Sequence, residues 1–170
     1  MNAKLTILVA LFTTACSSGG TGTNDELLDE YEAAVTAVHE LTDAYVVDAS
    51  TSSDVVAVGD RQATYQMDME AALGDIEHVL EDLEGCQMMG DGMDRIDEAR
   101  GSSGIIWDSL DAMLADHTTH ADVRDCQASA EAHEVEVDAE VDSMESHHDV
   151  WHDMSMECGD HDGNESSGDQ

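Results

Sequence analysis

A chain of 170 residues with 40 Asp and Glu against 5 Lys and Arg carries a formal net charge of −35; it has no proline, four Cys, nine His and ten Met. So negative a surface repels phosphate, and no Lys/Arg cluster exists to build a nucleic-acid or anionic-lipid face, so nucleic acid is excluded as a partner. The length is enough for one domain with a real core.

At the N-terminus Lys4 precedes the apolar run Leu5 to Phe12, far shorter than the ~20 residues a spanning helix needs, and residues 1–15 read as a signal peptide. The run ends in Thr13-Thr14-Ala15-Cys16, which resembles the lipobox of bacterial lipoproteins, with Thr13 where leucine is usual. The resemblance covers only about the first 20 residues. It implies cleavage before Cys16, lipidation of its thiol, a membrane contact made through that lipid, and sorting to the outer membrane, because Ser17 rather than Asp follows the cysteine. The alternative is a plain secretory cleavage near Ala15. Loss of residues 1–15 removes Lys4 and leaves Arg61, Arg95, Arg100 and Arg124 as the basic residues of the mature chain. Lysine depletion with abundant Asp resembles the style of salt-adapted proteomes, and the charge calls for screening by salt or bound cations.

Residues 16–23 form a lipidated Cys and flexible tether, and residues 24–158 are expected to make the domain. The first helix is capped by Thr23 or Asn24, begins with Asp25-Glu26 and carries Leu27/Leu28, Tyr31, Ala34/Val35, Val38, Leu41/Thr42 and Tyr45 on one stripe, ending near Ala49. The second carries Tyr65, Met69, Ala72/Leu73, Ile76, Val79/Leu80 and Leu83, stops at Gly85, and on the favoured reading starts as early as Asp54 in spite of Gly59, the alternative being that Val55-Val56-Ala57-Val58 is extended. The third reads Met93, Ile96, Ala99, Ser103, Ile106/Trp107, Leu110, Met113/Leu114 and His117, its phase surviving Gly101 and Gly104, where a kink or split is the alternative. The fourth and longest carries Val123, Cys126, Ala130, His133, Val137, Val141, Met144, His148, Trp151, Ser155 and Cys158. Residues 159–170 are expected to be a disordered acidic tail. Four amphipathic helices with short connections predict an all-α, antiparallel up-down four-helix bundle.

That topology gathers the second connection and the end of the fourth helix at one end, on the side of the lipid. Among the three remaining cysteines it favours a Cys86–Cys158 disulfide, leaving Cys126 as a small buried hydrophobe; if Gly101–Gly104 is a turn, Cys86 pairs with Cys126 instead. The same end collects Met88, Met89, His148, His152, Met154 and Met156, thioethers and imidazoles of the kind Cu(I) prefers. Met67-Asp68-Met69 and Met154-Ser155-Met156 resemble the Met-x-Met elements of periplasmic copper-handling proteins. Met69, Met113 and Met144 lie on apolar stripes and read as core.

By helical phase His117, His133 and His148 fall on apolar stripes, His39, His120 and His152 at stripe edges, and His78 and His147 outward. His39 and His133 sit at similar height, which leaves a two-His site inside the bundle open. Glu145-Ser146-His147-His148 has the Glu-x-x-His spacing of di-iron bundles, but Asp75 and His78, the matching pair, fall off their stripe. Asp160 to Glu165 begins like a calcium loop without the glycine its sixth position needs. No Cys-x-x-Cys, Gly-x-Ser-x-Gly or phosphate-cradling glycine loop occurs, and no enzyme is indicated. The leading functional expectation is a lipid-anchored envelope protein that binds or sequesters a transition metal, copper foremost. The competing one is a structural or partner-binding surface lipoprotein, and a third is a bundle holding non-covalent haem by Met and His.

Overall fold

The computed structural model describes residues 24–88, 91–117, 119–120, 122–154 and 156–158. The signal peptide, Cys16, the tether, Met89 and the acidic tail lie outside the described residues. Four helices make the domain: α1 (Asn24–Thr51), α2 (Val55–Glu84), α3 (Gly92–His117) and α4 (Val123–Asp153). They form an all-α, antiparallel up-down four-helix bundle in which α1 packs on α2 and α4, and α3 packs on α4 and more sparingly on α2. No described helix is long and apolar enough to cross a membrane.

Each helix end has a local cause. Asp54 and Asp122 are extended N-caps whose carboxylates accept from the backbone N–H of Val56 and Arg124, each at 2.9 Å, satisfying donors that a first turn leaves orphaned. At the end of α1, Ser50, Thr51 and Ser52 donate back to the carbonyls of Val47 and Asp48. Gln127 of α4 donates its amide to Ala49 O at 3.0 Å and Ser50 O at 3.2 Å, so a neighbouring helix adds to the capping of α1 by its own end. Val55–Val58 is helical, and α3 runs unbroken through Gly101 and Gly104, beside which a side chain would meet open space.

The predicted stripes are the core. Leu28, Tyr31, Val35, Val38, Leu73, Ile76, Leu80, Leu83, Ile96, Ile106, Leu110, Met144 and Trp151 are almost wholly enclosed, and Met69 and Met113 pack among them as expected. Three positions differ from the sequence-based reading. Met93 is 44 % exposed, because Gly92 rather than Met93 takes the inward place that starts α3. His147 is buried and His148 is only half-buried, the reverse of the expectation. A spacing of three or four from Met144 serves either residue, and the choice falls to His147, which stands beside Trp151 and faces Glu98 of α3.

The third difference is at the end of α4. The helix stops at Asp153, and Met154, whose N–H donates to Trp151 O at 3.1 Å, turns extended; Cys158 is not helical, and Ser155 lies outside the described residues. A short strand β2 (Met156–Cys158) then pairs antiparallel with β1 (Cys86–Met88), with Cys86 opposite Cys158, Gln87 opposite Glu157 and Met88 opposite Met156. Three residues are too few to display a period of two, so the ladder was invisible in the sequence.

Interhelical ion pairs use the few cations present. Arg61 of α2 reaches Asp48 of α1, and Arg100 of α3 bridges Glu77 and Glu84 of α2, which hold its guanidinium above the usual range. These pairs are exposed, and each contributes little on its own.

Candidate functional site

Three arrangements carry chemistry beyond packing. The first is the end of the bundle where α2, α3 and α4 meet the β1–β2 ladder. Trp151, wholly buried, donates its indole N–H to Gly92 O at 3.2 Å and meets Tyr31 of α1 edge-on at 5.1 Å. This bond holds the start of α3 against the last turn of α4. Around Gly92 two thioethers converge: a Cβ built there would lie 2.9 Å from Met88 Sδ and 3.2 Å from Met154 Sδ. Glycine fits here because an added Cβ would also meet Met88 Cβ at 2.9 Å, so a larger residue makes the strand or the thioethers shift.

Of the six residues expected to bind metal, the structure therefore brings Met88 and Met154 together, both half-buried against the core. Met156 is placed by its backbone, as the ladder partner of Met88. His148 and His152, four residues apart, stand on adjacent turns with ring centroids 6.2 Å apart; His152 is exposed, and His148 Nδ1 lies 3.8 Å from Asp149. Cys86 is disulfide-bonded and has Cys158 opposite it in the ladder, while Cys126 is free and buried, burial pushing its thiol up.

The second arrangement lies mid-bundle and takes one side chain from each helix. Tyr65 OH of α2 is 2.8 Å from both Thr42 Oγ1 of α1 and His133 Nε2 of α4, and His133 Nδ1 is 2.8 Å from Ser109 Oγ of α3. Thr42 donates to Val38 O at 2.9 Å, so its oxygen accepts from Tyr65. With the phenol proton spent there, His133 must donate from Nε2 to the phenol oxygen, and its Nδ1 then accepts from Ser109. The chain of donors ends on a backbone carbonyl with every member satisfied. Burial holds His133 far below its ordinary value, at about 4, with Glu136 opposing weakly, so the ring is neutral at pH 7. Both ring nitrogens are engaged, which removes the two-His site with His39.

The third arrangement is on the α1–α4 seam. His39 Nδ1 lies 3.3 Å from Asp138 Oδ1 and His39 Nε2 lies 3.6 Å from Asp43 Oδ2. The His39–Asp43 spacing of four was readable in the sequence, but Asp138 joins them only through the pairing of helices. His39, on the stripe edge that its helical phase predicts, is half-exposed.

The di-iron elements do not assemble, because Glu145, Asp75 and His78 are all exposed on the outer faces of their helices. His117, half-buried at the end of α3, stands close against the α2 backbone, where a Cβ on Gly59 would fall 2.8 Å from its Nε2. Comparison of the chain with protein-family models, with curated proteins and with solved structures finds no match.

Proposed function

We propose that this chain is a lipid-anchored, highly acidic envelope protein, held at the outer membrane through Cys16, whose bundle end binds or sequesters copper(I). It is a binding module and not an enzyme. Met88 and Met154 are the principal donors; His152, Met156, Met89 and His148 complete the set. The observation that carries this reading is that the Met88 and Met154 sulfurs both border the space beside Gly92, since two neighbouring thioethers suit a soft monovalent ion. Support comes also from place: Tyr31, on the second turn of α1, touches Trp151, so α1 begins at this same end. A Cys86–Cys158 disulfide belongs to the proposal, as the staple that keeps the Met88 strand beside Met154.

The second reading is a structural or partner-binding surface lipoprotein without a metal. It is favoured by the packing of Met88 and Met154 against the apolar core, which by itself accounts for two methionines at a bundle end. Cu(I) titration of the full chain in detergent and high salt, against a competing chelator, separates the two. Copper binding predicts one tight ion that is lost on replacing Met88 and Met154 together by Leu, a change that keeps volume and apolarity. Binding no tighter than that of the acidic surface, unchanged by the double replacement, establishes the structural reading instead.

A further inference from the structure

We propose that His39, Asp43 and Asp138 form a second metal site, on the α1–α4 seam, for a divalent first-row transition cation. It shares no residue with the copper(I) end and does not rest on that reading. His39 and Asp43 are four residues apart on one face of α1, and Asp138 faces them from α4. One donor atom from each of the three lies within 4.8 Å of the other two. The 3.3 Å between His39 Nδ1 and Asp138 Oδ1 is the separation that two ligands at about 2.0–2.1 Å from one ion make at a tetrahedral angle. Asp43, half-exposed, now faces Nε2 on the other side of the ring at 3.6 Å, and its carboxylate has to swing toward Nδ1 to join the same ion.

A second observation is that His39 Nδ1 and Asp138 Oδ1 meet as an ion pair without the alignment of a hydrogen bond. Both atoms are closed off from water although their residues are half-exposed, and neither makes a hydrogen bond. Buried polar atoms are nearly always satisfied, and a cation between these two satisfies both at once. The local charge agrees. Burial, then Asp138, Asp43 and Glu131, push the carboxyl of Glu134 above the ordinary range while His39 pulls it down, so negative charge is crowded on this seam.

The donor set names the class of ion. One imidazole with two carboxylates suits Zn2+ and its first-row neighbours and leaves coordination positions for water, whereas Mg2+ and Ca2+ take all-oxygen shells. A Zn2+ ion there would also tie α1 to α4 across a seam rich in carboxylates.

The test is titration of the full chain in detergent with Zn2+, and with Co2+ for its visible spectrum, in high salt and with excess Mg2+ to occupy the acidic surface. One Zn2+ should bind, and Co2+ should show the intense visible bands of a site of fewer than six ligands. His39→Gln and Asp138→Asn should each weaken Zn2+ by at least tenfold, as loss of a mere outer partner already costs about 10–100-fold. Both residues are half-exposed, so helicity measured by circular dichroism should be unchanged and will verify folding. Replacing Met88 and Met154 by Leu should leave Zn2+ binding as it was, which keeps this test apart from that of copper(I). Zn2+ displaced by Mg2+, or bound equally by folded His39→Gln and Asp138→Asn proteins, overturns the proposal.

Discussion

The phenol of Tyr65 and the imidazole of His133 meet at 2.8 Å in the centre of the bundle, joining α2 to α4 across its diagonal, with Thr42 and Ser109 extending the contact to α1 and α3. Polar groups in an otherwise apolar interior align the four helices at one height, because any axial slip breaks several hydrogen bonds that water cannot replace. Tyr65→Phe removes one oxygen and leaves His133 Nε2–H buried without an acceptor. A loss of about 1–3 kcal/mol is expected, read as a lowered urea midpoint with unchanged slope. A loss near zero would mean that the network has no part in holding the helices together.

Acid should act on the same residue. His133 has its ordinary value of 6.5 when unfolded and about 4 when folded. Between these pH values the unfolded chain binds the extra proton, so the contribution is fully present above 6.5 and is lost as pH falls toward 4, by about 3 kcal/mol in all. His147, lowered mainly by burial and also by Arg95, with Glu98 opposing, acts in the same direction. Acid also relieves carboxylate repulsion, which has the opposite sign, so the measurement belongs in ~2 M salt, where that repulsion is screened. Urea midpoints should fall from pH 6.5 to 4.5, and fall less in His133→Gln.

The glycines of α3 should divide. At Gly101 and Gly104 a Cβ meets nothing, so Ala at either should raise stability by up to ~1 kcal/mol through helix propensity alone. At Gly92 it meets Met88 Cβ and Sδ at 2.9 Å, and the first position of a helix returns little propensity in exchange. Gly92→Ala should lower the melting temperature while Gly101→Ala and Gly104→Ala raise it; a uniform rise at all three would show that Met88 and Met154 yield freely.

Covalent structure gives a further expectation. Proteolysis without reductant should release one peptide pair linked through Cys86 and Cys158, with Cys126 open to alkylation only after unfolding. A loop of roughly 70 residues is worth ~4 kcal/mol in the chain-entropy account, and reduction should lower stability by about 2–4 kcal/mol. A Cys86–Cys126 peptide would contradict the ladder register.

Much of the fold was legible because helices announce themselves locally. The run from Tyr65 to Leu83 repeats at three and four, and each residue named on it is buried. His147 against His148 was not decidable this way, since both stand at an acceptable distance from Met144 and Trp151. Met93 was misplaced because the rotation of the first turn of α3 answers to Met88 and Met154, which lie in other elements. Of the soft-ligand set, Met88 and Met154 both come near Gly92 because the topology brings the second connection to the end of α4.

By itself, then, the sequence determined four helices, their inward stripes, the antiparallel order that short connections impose, and a surface dominated by carboxylates. These depend on periodicity and charge, which are properties of neighbouring residues. Tertiary structure alone decided that α4 ends at Asp153 and gives way to a strand, that one residue from each helix meets at His133, and that Asp138 comes to His39. Those outcomes depend on how far each helix is rotated and shifted against the next, and that is set by the fit of side chains distant in sequence.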